Sequence, residues 1–352
     1  MFSLSKVIRP HILSLTPYAS ARDEYSGKEG TFLDANENPL GSVISGNYNR
    51  YPDPYQWTVK EKIAEIKGIK PRQIFLGNGS DEAIDLVIRA TCEPQQDNIL
   101  ILPPTYGMYK VCADVQNITV KEVPLTPDFQ VNTKKVLETA DEQTKINWIC
   151  SPNNPSGNII ERSSILHILD NFKTGLVVVD EAYIDFASEE SFTTLLEKYP
   201  NLVVLQTFSK AWGLAALRLG MAFASVEFIK ILNKIKYPYN INGVTQKLLY
   251  EALSKEDKKD KYVKQILKER GHLHKALAKL SIVQHIFPSD SNQLLVKFNN
   301  ANAIYHYLIE QKIITRNRSN VILCEDCIRI SVGSQKENEI LIDALNVLKK
   351  IK

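Results

Sequence analysis

A lysine stands just beyond the apolar run Leu202–Leu205, in the segment Thr207-Phe208-Ser209-Lys210-Ala211-Trp212-Gly213-Leu214, which ends at Arg218-Leu219-Gly220. A lysine amine at the carboxyl end of a buried strand can form a Schiff base with an aldehyde once partial burial lowers its pKa. Ser209 and Arg218 flank it with a hydroxyl and a planar guanidinium fork, both suited to phosphate. Upstream, Val177-Val178-Val179 runs into Asp180-Glu181-Ala182-Tyr183. A buried acid there is costly without a cationic partner or strong hydrogen bonds. A protonated pyridine nitrogen would be such a partner, with Tyr183 bonding a phenolic oxygen on the same ring; capping of the next helix by Asp180 is the rival reading. Ser151-Pro152-Asn153-Asn154-Pro155-Ser156-Gly157 reads as a tight turn that delivers Asn154. Gly77-Asn78-Gly79-Ser80-Asp81-Glu82 reads as a glycine turn opening a helix, whose free N–H groups attract anions. It lacks the Gly-Lys-Ser/Thr ending of a Walker loop, and Asp81 and Glu82 would also serve as complements to the helix dipole.

The elements that must position these groups are legible as alternation. Strands are predicted at Gln73–Leu76, Ile99–Leu102, Val120–Val123, Ile146–Cys150, Leu176–Val179, Leu202–Leu205 and Met221–Ala224, mostly as continuous apolar runs. Helical stripes lie between them, such as Ile84, Val87 and Ile88 after the N-cap candidate Ser80. This argues for an α/β unit with a mainly parallel sheet flanked by helices. After residue 240 the texture changes: a long helical region Val244–Leu280, strands Leu294–Phe298 and Ile328–Val332, and a closing helix Glu337–Leu348 predict a smaller α+β domain. The expected divisions are an N-terminal arm 1–35, a large domain 36–240 and a small domain 241–352. Each of the four polar segments lies at the carboxyl end of a predicted strand, where open α/β sheets bind ligands. A Schiff-base lysine, a pyridinium acid, a pair for a phenolic oxygen and a phosphate cradle together make the inventory for pyridoxal 5′-phosphate.

Composition narrows the class without naming it. The 352 residues carry 43 Lys and Arg against 40 Asp and Glu, a net charge of +3, with 44% hydrophobic residues. That balance is too apolar for disorder and too neutral for a dedicated nucleic-acid binder. No secretory signal or run of ~18 apolar residues is found, so a soluble, cytoplasmic protein is expected. The five cysteines, Cys92, Cys112, Cys150, Cys324 and Cys327, are then expected as reduced thiols. Cys324 and Cys327 have the spacing of half a zinc site, but no second ligand pair follows, and two thiols in a loop before a strand are expected instead.

Taken with Leu15-Thr16-Pro17-Tyr18, Leu33-Asp34-Ala35-Asn36-Glu37-Asn38-Pro39, Arg50-Tyr51-Pro52-Asp53, Pro103-Pro104-Thr105-Tyr106-Gly107-Met108-Tyr109 and Ile328-Arg329-Ile330-Ser331-Val332-Gly333, these segments resemble the fold-type I pyridoxal-phosphate aminotransferases. Within them the likeness is to the histidinol-phosphate aminotransferase family, over nearly the whole chain. The resemblance implies that Lys210 holds the cofactor, Asp180 pairs with its ring nitrogen, Tyr183 and Asn154 bond its 3-oxygen, and Tyr106 stacks on the ring. Backbone N–H groups around Gly79, Ser80 and Asp81, with Ser209 and Arg218, would hold the phosphate. Tyr51 would reach the cofactor of a neighbouring subunit in a homodimer. Arg329 would bind the substrate anion, with Tyr18, Asn36 and Arg316 as further contacts; Arg318 competes with Arg316 for that place. No metal is implied. Trp212 and Ala215-Ala216-Leu217 depart from the usual Phe and Ala-Gly-Leu. The implied reaction is amino transfer between L-histidinol phosphate and 2-oxoglutarate, giving imidazole acetol phosphate and glutamate. An aromatic amino-acid aminotransferase and a threonine-phosphate decarboxylase share the framework. A cofactor-sensing regulator would need a DNA-binding domain, for which the thirty-odd residues before Leu33 are too few.

Overall fold

The computed structural model describes residues 2–18 and 30–348. Its large sheet is built from β1 (Ile74–Asn78), β2 (Asn98–Ile101), β3 (Thr119–Glu122), β4 (Thr144–Cys150), β5 (Leu176–Asp180), β6 (Leu202–Thr207) and β7 (Leu219–Phe223), in the order β1-β7-β6-β5-β4-β2-β3. All ladders are parallel except the two that β7 makes with β6 and β1. β5 is buried at every position, as its Leu-Val-Val-Val run requires of a strand covered on both faces.

Short helices α1 (Leu4–Val7) and α2 (Pro10–Ser14) lie in the N-terminal arm. They are followed by α3 (Trp57–Lys67), α4 (Gly79–Thr91), α5 (Met108–Val115), α6 (Thr133–Thr139), α7 (Arg162–Asn171), α8 (Val226–Ile235), α9 (Gly243–Leu253) and α10 (Glu256–Leu277). Alternate residues of each strand feed opposite cores. Ile149, Val177, Val179 and Val204 pack with α3, α6, α7 and α9. Trp148, Val178, Val203 and Leu205 pack with α4, α5, α8 and the arm residues Val7, Ile8 and Ile12. The arm is also pinned by Arg9, which donates to the Glu93 carboxylate at 2.9 and 3.1 Å.

The remaining elements are β8 (Val283–Ile286), β9 (Gln293–Phe298), α11 (Ala301–Glu310), β10 (Arg316–Asn317), β11 (Cys327–Ser331) and α12 (Gln335–Leu348). They form an antiparallel sheet, β10-β11-β9-β8, whose core is shared with α10, α11 and α12. The helical region expected over Val244–Leu280 is two helices, interrupted at Ser254-Lys255. β8 and β10 are edge strands not foreseen in the sequence; one is half exposed and the other two residues long. Cys324 and Cys327 are buried thiols, the latter opening β11, and burial pushes both up to about 12.

The parallel ladders bring the carboxyl ends of β4, β5 and β6 to one edge, and β1, antiparallel to β7 as β6 is, ends there too. Because β7 runs the other way, its amino end, just after Arg218, arrives at that same edge. There β7 passes so close to the start of α4 that a Cβ on Gly220 would lie 2.1 Å from the Ser80 backbone nitrogen. Gly220→Ala therefore forces α4 away from the sheet. We expect a loss of ~1–3 kcal/mol, read as a lowered urea midpoint together with weakened binding of inorganic phosphate; an unchanged midpoint would mean the contact relaxes freely.

Candidate active site

At the strand-end edge lies a cavity of about 700 Å³. Its floor is Asp180, the last residue of β5, which is 2% exposed. The Tyr109 hydroxyl donates to Asp180 Oδ2 at 2.6 Å and the Ala182 N–H donates to Oδ1 at 3.0 Å. Burial raises the Asp180 pKa, and these two hydrogen bonds oppose it. Among the described residues no Lys, Arg or His forms an ion pair with this carboxylate.

Lys210 follows β6 and faces the cavity, its Nζ 5.4 Å from the centre of the Tyr183 ring. Burial lowers its pKa from the ordinary 10.5, and the positive charge of Arg329 lowers it further. Tyr183 is almost fully enclosed, which holds its phenol protonated. Asn154 reaches the Tyr183 hydroxyl at 3.5 Å and accepts a 2.6 Å hydrogen bond at Oδ1 from Arg329. Behind Lys210, Tyr183, Phe186 and Ala211 pack on Val263 of α10. The unusual Trp212 is absorbed nearby, edge-on to Phe208 at 5.5 Å and beneath the Lys259 ammonium.

One end of the cavity is the start of α4. Gly79 has φ +71°, and a Cβ there would meet the Arg218 guanidinium at 2.9 Å. Its N–H donates to the Arg218 carbonyl, fixing the turn. The first-turn N–H groups of Ser80 and Asp81 precede the intrahelical ladder, and the N-cap Asn78 supplies no side-chain cap. Arg218 lies 3.6 Å from the Asp81 carboxylate, and Tyr106 donates to that carboxylate at 3.0 Å. Ser209 lines the same end.

The other wall carries Arg316, Arg318 and Arg329. Arg316 and Arg329 are directly opposite in the β10/β11 ladder, so their side chains share a face. Arg318 is two residues beyond Arg316 and lines the same cavity. Arg318 Nε and Arg329 Nε are buried without a hydrogen-bond partner. Burial and mutual repulsion lower the pKa of Arg318.

Of the residues expected from the sequence, Gly79, Ser80, Asp81, Tyr106, Asn154, Asp180, Tyr183, Ser209, Lys210, Arg218, Arg316 and Arg329 line this one cavity. Tyr51 and Asn36 do not; they line a separate cleft of about 1100 Å³, where Tyr51 stacks on Tyr239 at 4.5 Å. Tyr18 is 76% exposed and lines neither. Two residues beyond those expected belong here: Tyr109, through its hydrogen bond to Asp180, and Arg318, the alternative to Arg316, which lines the cavity as well.

The residues fit pyridoxal 5′-phosphate. The buried Asp180 carboxylate has hydrogen bonds but no ion-pair partner, as a protonated ring nitrogen requires. The glycine turn at Gly79 leaves a cradle that a Cβ would obstruct.

Residues 24–345 match the family described as aminotransferase class I and II. A histidinol-phosphate aminotransferase of Cytophaga hutchinsonii is 53% identical over 344 residues, covering 98% of this chain and 99% of that protein. The crystal structure of histidinol-phosphate aminotransferase from Clostridium acetobutylicum shares the fold with a TM-score of 0.80 at 24% identity, covering 87% of this chain and 92% of that one. The enzyme of that name from Sinorhizobium meliloti, in complex with pyridoxal-5′-phosphate, shares it with a TM-score of 0.79 at 22% identity, covering 90% of each.

Proposed function

The chain belongs to the class I and II aminotransferases, enzymes that use pyridoxal 5′-phosphate, and on that premise we propose that it transfers the amino group of L-histidinol phosphate to 2-oxoglutarate. The observation that carries the choice of substrate is the wall of three guanidiniums. Like charges held opposite one another on a sheet are destabilising, and no described carboxylate forms an ion pair with Arg316, Arg318 or Arg329. Such a cluster suits a dianionic phosphate, which several forks grip at once. A single carboxylate, as on phenylalanine or tyrosine, needs only one fork. The 53% identity to a histidinol-phosphate aminotransferase supports the same reading.

When bound, the cofactor supplies a ring that accepts electrons from the substrate carbon bearing the amine. The chain's residues do the rest. Lys210 holds the aldehyde and, when free, carries the proton of that carbon; its lowered pKa keeps the amine neutral over a wider pH range than an ordinary lysine. Asp180 keeps a proton at the ring nitrogen. Asn154 and Tyr183 hold the 3-oxygen, with Arg329 fixing the Asn154 amide. Tyr106 covers the ring. The N–H groups at the start of α4, with Ser209 and Arg218, take the cofactor phosphate, so the two anionic ends are gripped from opposite walls. Arg329 with Arg316 and Arg318 takes the substrate phosphate in one half-reaction and a carboxylate of the oxo acid in the other.

The working unit in this reading is a homodimer. Leu33, Leu40, Val43 and Ile44 are 66–99% exposed, an apolar surface that suits a second copy. The loop carrying them is pinned by Glu37, which accepts from Arg50 at 2.7 Å and from the Tyr51 N–H at 2.6 Å. Tyr51 then serves the neighbouring subunit's cofactor rather than its own, and Asn36 and Tyr18 would meet substrate only in that assembly. Among the described residues no helix is long and apolar enough to cross a membrane. Five unpaired buried cysteines suit a reducing cytoplasm.

Steady-state turnover with 2-oxoglutarate should be fast with L-histidinol phosphate, and at least ~100-fold lower in kcat/KM with phenylalanine, the loss expected when a charged group in a buried ion pair has no partner. Threonine phosphate should yield no carbon dioxide. Absence of turnover with histidinol phosphate would refute the assignment.

A further inference from the structure

We propose that Tyr109 is a positioning residue, whose hydroxyl fixes the ionised Asp180 carboxylate toward the ring nitrogen of the cofactor. The inference rests on the role given to Asp180 above. Tyr109 lies on α5, is completely buried, and is 71 residues from Asp180 in sequence, yet its hydroxyl donates to Oδ2 at 2.6 Å. Its ring stacks on Trp148 of β4 at 4.7 Å and 13°, and Tyr106 meets it edge-on at 5.6 Å. Held between these rings, the phenol cannot swing away, so it defines one in-plane direction of the carboxylate while the Ala182 N–H defines the other.

The electrostatics agree with the geometry. Burial drives Asp180 toward its neutral form, and the hydrogen bond from Tyr109 is the largest influence opposing it. The phenol's own pKa is pushed well up by burial and then by Asp180, so it stays a donor. The Cys150 thiol, also buried, lies beside the pair but donates to the Pro152 carbonyl at 3.5 Å, leaving Tyr109 and Ala182 as the donors to Asp180. A tyrosine needed only to fill the core would make the same stack without its oxygen. Phenylalanine would serve there, and the hydroxyl would be an added desolvation cost.

Tyr109→Phe removes the hydroxyl and little else. The test compares apoprotein affinity for pyridoxal 5′-phosphate with affinity for its 1-deaza analogue, in which a carbon replaces the ring nitrogen. Tyr109→Phe should weaken binding of the natural cofactor by ~10-fold or more, the scale of a lost hydrogen bond to a charged group. It should leave the analogue unchanged or tighter. In an Asp180→Asn background the same substitution should have no further effect on the natural cofactor. The pH titration of the bound cofactor's visible absorption should also shift in Tyr109→Phe. Equal losses for both ligands, a loss that persists beside Asp180→Asn, or undiminished affinity for the natural cofactor would each overturn the proposal.

Discussion

Lys210→Ala is expected to lose the visible absorption band of the lysine-bound cofactor and to turn over histidinol phosphate at least ~10⁴-fold more slowly, about 5 kcal/mol in barrier. Two functions vanish with one amine: the covalent hold on the aldehyde and the carrier of the substrate proton. The fold should survive, because the side chain reaches into a cavity and the segment is anchored by Phe208, Ala211 and their core contacts. Lys210→Arg supplies a control, since it keeps the positive charge but offers no free amine, and it should be equally inactive. A small primary amine added to Lys210→Ala should restore part of the proton transfer.

The pH dependence has a definite sign. Burial and Arg329 hold the Lys210 amine below 10.5, so its neutral form persists to lower pH than in an ordinary lysine. Competitive labelling of the apoprotein with an amine reagent across pH should place its midpoint below 10.5, and Arg329→Leu should move that midpoint back upward. A wild-type band in Lys210→Ala, or a midpoint at 10.5, would remove the lysine from its assigned place.

Much of this site is legible in the sequence, and the reason is topological. In a parallel sheet each strand's carboxyl end is a delivery point, so a polar residue after an apolar run is already half located. Asp180, Asn154 and Lys210 were readable in that way. Arg218 is read instead from its place beside Lys210, as a fork suited to phosphate; the strand predicted at Met221–Ala224 carries no sign of its direction, and antiparallel pairing on both sides is what brings Arg218 to the edge. β10 escaped because two polar residues carry no periodicity. With it went the pairing of Arg316 with Arg329 and the placement of both Arg316 and Arg318 on the cavity wall. Tyr109 escaped for the opposite reason: an aromatic residue on a buried helix face reads as packing, and only the tertiary fold, which lays its ring on Trp148 of β4, turns its hydroxyl toward Asp180. Tyr18, Asn36 and Tyr51 were placed by resemblance alone, and in a single chain they stand apart from the cavity.

Arg329→Leu should separate function from stability more sharply than any other change on the guanidinium wall. Arg329 Nη1 donates to Asn154 Oδ1 at 2.6 Å, while its Nε is buried without a partner. The guanidinium lines the cavity, within reach of a substrate oxygen. Breaking a buried, charge-paired contact typically costs ~3–5 kcal/mol, so kcat/KM for histidinol phosphate should fall by ~10²–10³ or more. The glutamate half-reaction should fall as well, because the same fork serves the carboxylate. Arg318→Leu differs in kind: it removes the extra charge that a dianionic phosphate group uses and a single carboxylate group does not, so it should penalise histidinol phosphate more than glutamate. Neither loss should reflect unfolding. Burial and then the like charges of Arg329 and Arg316 depress the pKa of Arg318, so its removal relieves both desolvation and repulsion, and the apoprotein's thermal midpoint should hold or rise. Inorganic phosphate should raise the wild-type midpoint by more than that of Arg318→Leu, since an anion bound only to the native state stabilises it by mass action. Should Arg318→Leu lower the midpoint and depress both half-reactions equally, the cluster would be a structural device, and the argument for a phosphate-bearing substrate would lose its support.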